Sequence, residues 1–291
     1  MSLFLQICIQ GLMLGSMYAI LTLGYNIIYS TMGMAHYAQG DIMMVGAFLA
    51  LDFFVTMRLP FVIALVLSVV CNVGLMLIIE KLAYSPLYGR PRNMLLLCTI
   101  GISTVLRNAA QLIWGTQSFN FPSVFSTKMI EIGSIYLVPQ NLWILGIGVV
   151  LMLLLNVFMK KTKVGRAMQA VSMNRSAAAL MGVNMKTITM ITYGLSAGLA
   201  TLAGIMLAPI IKVYSTMGVS IGAKVMISAV AGGMGSMPGS ILGGLLVGLV
   251  ETLGGMYVST TFKEAYPVVL LLVVLLWRPQ GILGRKKVVK V

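Results

Sequence analysis

Ionisable side chains are scarce in this chain, with six carboxylates and one histidine among 291 residues. One place that could do chemistry is Met32-Gly33-Met34-Ala35-His36-Tyr37-Ala38-Gln39-Gly40-Asp41, where an imidazole, an amide and a carboxylate fall within six residues. The other is Gly232-Gly233-Met234-Gly235-Ser236-Met237-Pro238-Gly239. It breaks an apolar stretch with residues poorly suited to a helix interior, at ~1 kcal/mol for Gly and ~3 kcal/mol for Pro. Both places offer hydrogen bonds and bare backbone to a small polar solute. Neither offers covalent chemistry. The sequence holds no Ser/His/Asp or Cys/His set, no cluster with metal-ligand spacing, and no GxxxxGK[ST] loop to cradle a nucleotide phosphate. No cofactor, metal or enzymatic activity is therefore expected of this chain. Cys8, Cys71 and Cys98 are odd in number and lie in apolar runs, so they read as small core residues.

The elements that hold these residues are set by the solvent. The chain is 59% hydrophobic and 9% charged, whereas soluble domains are about a quarter charged. It is expected to be an all-α, polytopic membrane protein in a single transmembrane domain over 1–291. Apolar segments at 4–29, 41–57, 61–80, 93–113, 140–159, 187–211, 238–258 and 264–277 make about eight transmembrane helices, each near the ~20 residues a crossing needs. A shorter apolar piece at 223–233 reads as a broken or re-entrant helix.

The net charge of +14 resides in loops, where it reports orientation and contact with anionic lipid or an acidic partner rather than nucleic acid. Basic clusters at Lys81–Arg92, Lys160–Lys186 and Arg278–Lys290 place those loops and the C-terminus in the cytoplasm. Parity then requires 223–233 and 238–258 to run inward and outward as a pair. Their connecting turn lies either at membrane depth, where bare backbone must be buried or line a wet cavity, or at the cytoplasmic interface.

Arg107, Glu251 and Asp52 are the ionisable groups read inside spans. Arg107 stands 14 residues from the inner end of its span, ~21 Å along a helix, and is expected to snorkel outward. Gly11/Gly15, Gly194/Gly198 and Gly244/Gly248 form GxxxG faces suited to close helix packing.

The stretch 160–186 carries its own pattern. Val164, Ala167, Met168 and Val171 make one apolar stripe of a short helix. Asn174 can cap a second helix over Arg175–Met181, and Gly182 suits its left-handed end. Such a pair suits a partner's groove or a lipid surface.

Five blocks carry a family resemblance: GLMLGSMYAILTLGYNIIYSTMGMAHYAQGDIMMVGAFLAL (11–51), IEKLAYSPLYGRPRN (79–93), GRAMQAVSMNRSAAALMGVN (165–184), AVAGGMGSMPGSILGGLLVGLVE (229–251) and RPQGILGRK (278–286). Together they resemble the shorter permease of branched-chain amino-acid ABC importers. The resemblance implies a multi-pass protein of the bacterial inner membrane. Its implied partners are a second, longer permease subunit, two cytoplasmic ATPases that hold the ATP and Mg²⁺, and an extracytoplasmic solute-binding protein.

The family's Glu-Ala-Ala, three residues, Gly motif, which contacts the ATPase, falls on Ser176-Ala177-Ala178 and Gly182, with Ser176 in place of Glu. Gly165, Arg166 and Arg175 flank it in the coupling segment 160–186. The translocation path is expected along His36, Gln39, Gly40 and Asp41 and along Gly232, Gly233, Gly235, Ser236, Pro238 and Gly239. Family members commonly read Asn-Phe-Ala-His-Gly-Glu where this chain has His36–Asp41. Branched-chain amino acids rank first among the family's solutes, ahead of urea and short amides. The rival readings are a stand-alone channel or secondary transporter, and a membrane anchor without a path.

Overall fold

A computed structural model describes residues 2–123, 130–132, 135–137 and 139–284. Eleven α-helices follow in order among them: α1 (Ser2–Met32), α2 (Gln39–Leu51), α3 (Phe61–Ile79), α4 (Arg92–Trp114), α5 (Pro139–Lys161), α6 (Lys163–Met173), α7 (Arg175–Leu180), α8 (Met185–Ile211), α9 (Met217–Gly232), α10 (Met237–Tyr257) and α11 (Tyr266–Trp277). Wide π turns extend α2 over Asp52–Thr56 and α3 over Glu80–Tyr84. A two-stranded hairpin, β1 (Ile130–Ile132) and β2 (Ile135–Leu137), pairs antiparallel between α4 and α5.

Among the described residues, seven helical segments are long and apolar enough to cross a membrane. One expected crossing, 264–277, comes out short, since α11 has 12 residues, ~18 Å of rise. The piece expected at 223–233 as a broken or re-entrant helix is longer than expected: α9 has 16 residues and begins at Met217. The outward faces are apolar, as hydrocarbon solvent demands: Val70 on α3, Leu97 on α4, Leu154 on α5 and Leu276 on α11 are all exposed.

The described chain divides into two compact units. Unit one holds Met1–Asn26, Phe125–Met152 and Lys224–Val291, and unit two holds Ile27–Val124 and Leu153–Ala223.

In unit one, α1 meets α10 through glycines. A Cβ at Gly248 would lie 2.3 Å from Gly15 Cα, and one at Gly244 would lie 2.3 Å from Ala19 N. The Gly11/Gly15 and Gly244/Gly248 faces therefore let two backbones touch. Gly194 and Gly198 differ, because a Cβ there meets only valine and leucine methyls of α3, at 3.5–3.9 Å.

Unit two is centred on α2, wrapped by α3 and α8. Buried Asn72 of α3 donates to Ile42 O (2.8 Å) and Thr201 Oγ1 (2.7 Å), directly beside Gly46. An amide without partners is costly in an apolar interior, so this pair of bonds fixes the α2–α3–α8 register.

Candidate functional site

The depth of the early turn in unit two follows from its register against α4. Tyr37 N–H donates to Thr99 Oγ1 (3.4 Å), Ser103 Oγ donates to Asp41 Oδ2, and Trp114 Nε1 donates to Asp52 Oδ2 (2.7 Å), each pair 62 residues apart. Helices α2 and α4 thus run parallel in fixed register. Gln39 comes level with Gly101, nine residues and ~14 Å along α4 from its first residue, Arg92. The chain ends α1 at Met32, turns through Gly33 (φ 71°), and climbs well into the unit before α2 begins. This is an irregular backbone buried in protein, the condition under which hydrocarbon depth tolerates it.

That buried turn carries a polar cluster. His36 Nε2 and Tyr84 Oη are 3.1 Å apart, and the imidazole stands edge-on to the Tyr193 ring at 5.7 Å. Gln39 Oε1 accepts from Ser196 Oγ (3.0 Å). Asp41 lies 3.7 Å from Arg107 Nε, and Arg107 Nη2 donates to Ser103 Oγ (3.2 Å). Arg107 therefore faces a carboxylate inside the unit and does not simply snorkel outward. Gly40 makes room for α9, since a Cβ there would lie 2.0 Å from Gly218 O. His36, Gln39, Gly40 and Asp41 are all buried, while Tyr37 between them is 42% exposed. The four expected path residues support the turn from inside, and Tyr37 is what it presents outward.

The second turn belongs to unit one. Helix α9 ends at Gly232, and Gly233 (φ 113°) and Gly235 (φ 78°) reverse the chain. Ser236 then caps α10 by accepting from Gly239 N–H (3.2 Å), with Pro238 in the first helical turn, where its missing N–H costs nothing. Asn26 of α1 accepts from Gly235 N–H (3.2 Å) and donates to Ser240 Oγ.

The tail beyond α11 closes over the turn. Ile282 N–H donates to Ala231 O and Leu283 N–H to Gly232 O, both at 2.9 Å, satisfying carbonyls that the end of α9 leaves free. Gly233, Gly281 and Gly284 are needed for this contact, since a Cβ at Gly233 would lie 2.4 Å from Gly284 N. The turn thus sits at the end of unit one where the chain leaves α11. Of the two depths open to it in the sequence, this favours the interface.

Unit one also holds a site that the sequence reading passed over. Lys224 of α9 places its ammonium 2.9 Å from Glu251 Oε1 of α10 and 2.9 Å from Glu264 Oε1 in the α10–α11 loop. Lys263 adds a contact to Glu251 at 3.5 Å, and Tyr18 Oη donates to Glu251 Oε2 (3.0 Å). Lys224 and Glu251 are 6% and 1% exposed. A lone lysine beginning an apolar run gives no sign of its partner 27 residues on; only tertiary packing joins them.

The stretch 160–186, expected to couple to an ATPase, is built within unit two. Thr162 caps α6 through Gly165 N–H (2.9 Å), and Asn174 caps α7 through Ala177 N–H (3.0 Å). Gly182 (φ 85°) ends the pair in the left-handed conformation expected of it. Two expected contact residues turn inward. A Cβ at Gly165 would meet Met159 Cα at 2.5 Å, so this glycine seats α6 under the end of α5, and Ala178 is 2% exposed. Arg166, Arg175, Ser176, Ala177 and Gly182 are exposed. So are the side chains of Leu180 (90%) and Met181 (78%), which the sequence did not single out. Tyr88 Oη donates to Glu80 Oε1 (3.0 Å) near this segment; burial first, then the neighbouring Tyr193 and Glu80, hold its hydroxyl above the ordinary tyrosine range, so it is a neutral donor.

Comparison with known proteins gives these elements a lineage. Residues 7–277 match the family described as the permease component of branched-chain amino acid transport systems. The chain is 33% identical over 303 residues to the high-affinity branched-chain amino acid transport system permease protein LivH of Escherichia coli K12, covering 99% of this chain and 98% of that one. It is 32% identical over 301 residues to the corresponding protein BraD of Pseudomonas aeruginosa, with the same coverage. In fold it is similar to PsaBC from Streptococcus pneumoniae, solved in complex with Fab, at TM-score 0.50 and 16% identity over 94% of this chain and 91% of that one. A buried early turn, a capped pair of short helices and seven long apolar helices thus lie within a match that runs almost end to end, and the chain belongs to the permease-component family of branched-chain amino acid transport systems.

Proposed function

We propose that this chain is the shorter membrane subunit of a binding-protein-dependent importer of the bacterial inner membrane, carrying branched-chain amino acids. The observation that carries the reading is the near-complete match to permeases named for that transport. The basic clusters at Lys81–Arg92, Lys160–Lys186 and Arg278–Lys290 support a reading with α6, α7 and the C-terminus in the cytoplasm. The partners are a second, longer permease, two ATPases and an extracytoplasmic binding protein. ATP and Mg²⁺ act on the ATPases, because this chain has no phosphate loop of its own.

The coupling contact is the surface that α7 presents. Leu180 and Met181 are held out by a helix whose two ends are fixed by Asn174 and Gly182. Exposed apolar side chains on a rigid, capped element fit a groove in a partner protein better than a mobile loop does, since little entropy remains to be lost on docking. Each turn is read within its own unit as a candidate stretch of the path. In unit two, His36, Gln39, Gly40 and Asp41 position Tyr37. In unit one, the candidates are Gly232, Gly233, Gly235, Ser236, Pro238 and Gly239. Weak, transient contacts suffice for a solute delivered by a binding protein.

The test is co-purification with the cognate ATPase. The chain alone should hydrolyse no ATP. The ATPase should be retained by the native chain and lost from Leu180→Asp/Met181→Asp, which alters no buried contact and should insert normally. Retention equal to the native chain would mean that α7 lies on lipid instead.

A further inference from the structure

Unit two contains a cavity of about 370 Å³ framed by the end of α1, the loop before α4 and the junction of α6 and α7. Three guanidinium groups line it, those of Arg90, Arg92 and Arg175. Among the described residues none of the three is ion-paired. Glu80, the carboxylate on this side of unit two, is already taken by the Tyr88 hydroxyl at 3.0 Å.

All three arginines are exposed, so solvent screens their repulsion, and together they present a positive recess open to an anion. The surroundings hold the charges in place. Arg175 lies over the Tyr88 ring at 5.9 Å and close to Met32 Sδ at 3.9 Å. Gly33, at φ 71°, leaves room for Arg92, whose guanidinium carbon a Cβ there would meet at 3.5 Å. Gly89 (φ 88°) turns the chain immediately before Arg90.

We propose that this cavity binds a phosphate group. Planar guanidinium forks match the tetrahedral oxyanion with paired N–H···O bonds, which a single ammonium cannot do. The cavity has room for a phosphate with a small attached alcohol, because a water in bulk takes ~30 Å³. The group can come from an acidic phospholipid entering sideways at the membrane interface, or from a soluble phosphate. The site joins the end of α1, which leads into the buried turn, to Arg175 at the start of the coupling helix. Its occupancy therefore bears on both.

The test uses the full chain in nonionic detergent and in phosphatidylcholine nanodiscs with and without phosphatidylglycerol. Native mass spectrometry counts retained phosphatidylglycerol. Thermal unfolding is followed against inorganic phosphate, with chloride at matched ionic strength. A lipid source gives a retained phosphatidylglycerol and no phosphate-specific shift; a soluble source gives a saturable phosphate shift. In either case Arg90→Gln/Arg92→Gln should weaken binding about ten-fold or more, as loss of charge-assisted bonds predicts. Arg92→Lys should weaken it less, and Lys81→Gln, on the same basic loop outside the cavity, should leave it unchanged. No saturable binding of either probe overturns the proposal, as does equal weakening by Lys81→Gln. If neither probe binds but the arginine pair is needed to retain the ATPase, the recess is a protein contact and not a phosphate site.

Discussion

Lys224 and Glu251 are a buried ion pair in a protein whose solvent is hydrocarbon, and such pairs are expensive to break. Removing one partner leaves the other only its more exposed contact, Glu264 for Lys224 or Lys263 for Glu251, a loss bounded by the ~3–5 kcal/mol of a stranded interior charge. Glu251→Gln should therefore lower the unfolding temperature in detergent sharply, and so should Lys224→Met. The double variant Lys224→Met/Glu251→Gln should recover much of the loss, because no charge is stranded. Thermal unfolding of the three variants reads the outcome, and a double variant no better than the worse single one would show that the pair does not act as a unit. The sequence showed Glu251 but not its role. Its partners come from α9, the α10–α11 loop and α1, and no local spacing connects them. Asp41 and Arg107 escaped for the same reason, since only the parallel register of α2 on α4 brings them within reach.

At the scale of elements, glycines that look alike in sequence differ in what they permit. Gly248→Val pushes side-chain atoms into the backbone of α1 and should destabilise the chain by about 1–3 kcal/mol, the usual cost of overpacking. Gly198→Ala meets only methyl groups at 3.9 Å and should be neutral or slightly stabilising. Unfolding temperatures of the two variants compare them directly. The capped helices α6 and α7 were legible in advance, because Asn174 and Gly182 are local signals whose geometry a few residues decide. What those helices bury was not. Gly165 and Ala178 face inward because of the end of α5 and the packing of α7, and the exposed apolar side chains of this pair are instead Leu180 and Met181. The depth of the two turns also required tertiary contacts, with α4 fixing the first and the tail beyond α11 the second. Cysteine substitutions follow from this, once the native cysteines are replaced. A cysteine at Ser236 should react with a water-soluble thiol reagent from the cytoplasmic side in every ATPase state. One at Gln39 should react only when the turn opens during ATP turnover, and one at exposed Leu272 on the lipid face should stay silent. Free labelling at Gln39 without ATPases would place the early turn at the surface.

Over the whole molecule, a chain with few charges and two interrupted helices suits a path through which a solute is passed on without being held. The apolar composition and the all-α, multi-pass character were readable from sequence because the bilayer imposes them residue by residue, although about eight crossings were expected and seven helical segments among the described residues are long and apolar enough. The division of the chain between two units was not, since α1, α5 and α9 contribute to both. On the proposed function, transport through this chain is driven by separate ATPases and supplied by a binding protein. Uptake of radiolabelled leucine into liposomes tests it most directly, with the chain reconstituted alone and together with its second permease, ATPases and binding protein. The account predicts uptake only from the complete set with ATP inside the ATPase-facing compartment, and none from the complete set carrying Leu180→Asp/Met181→Asp. Leucine entry through the chain alone, at a rate unaffected by ATP, would contradict it and identify a channel.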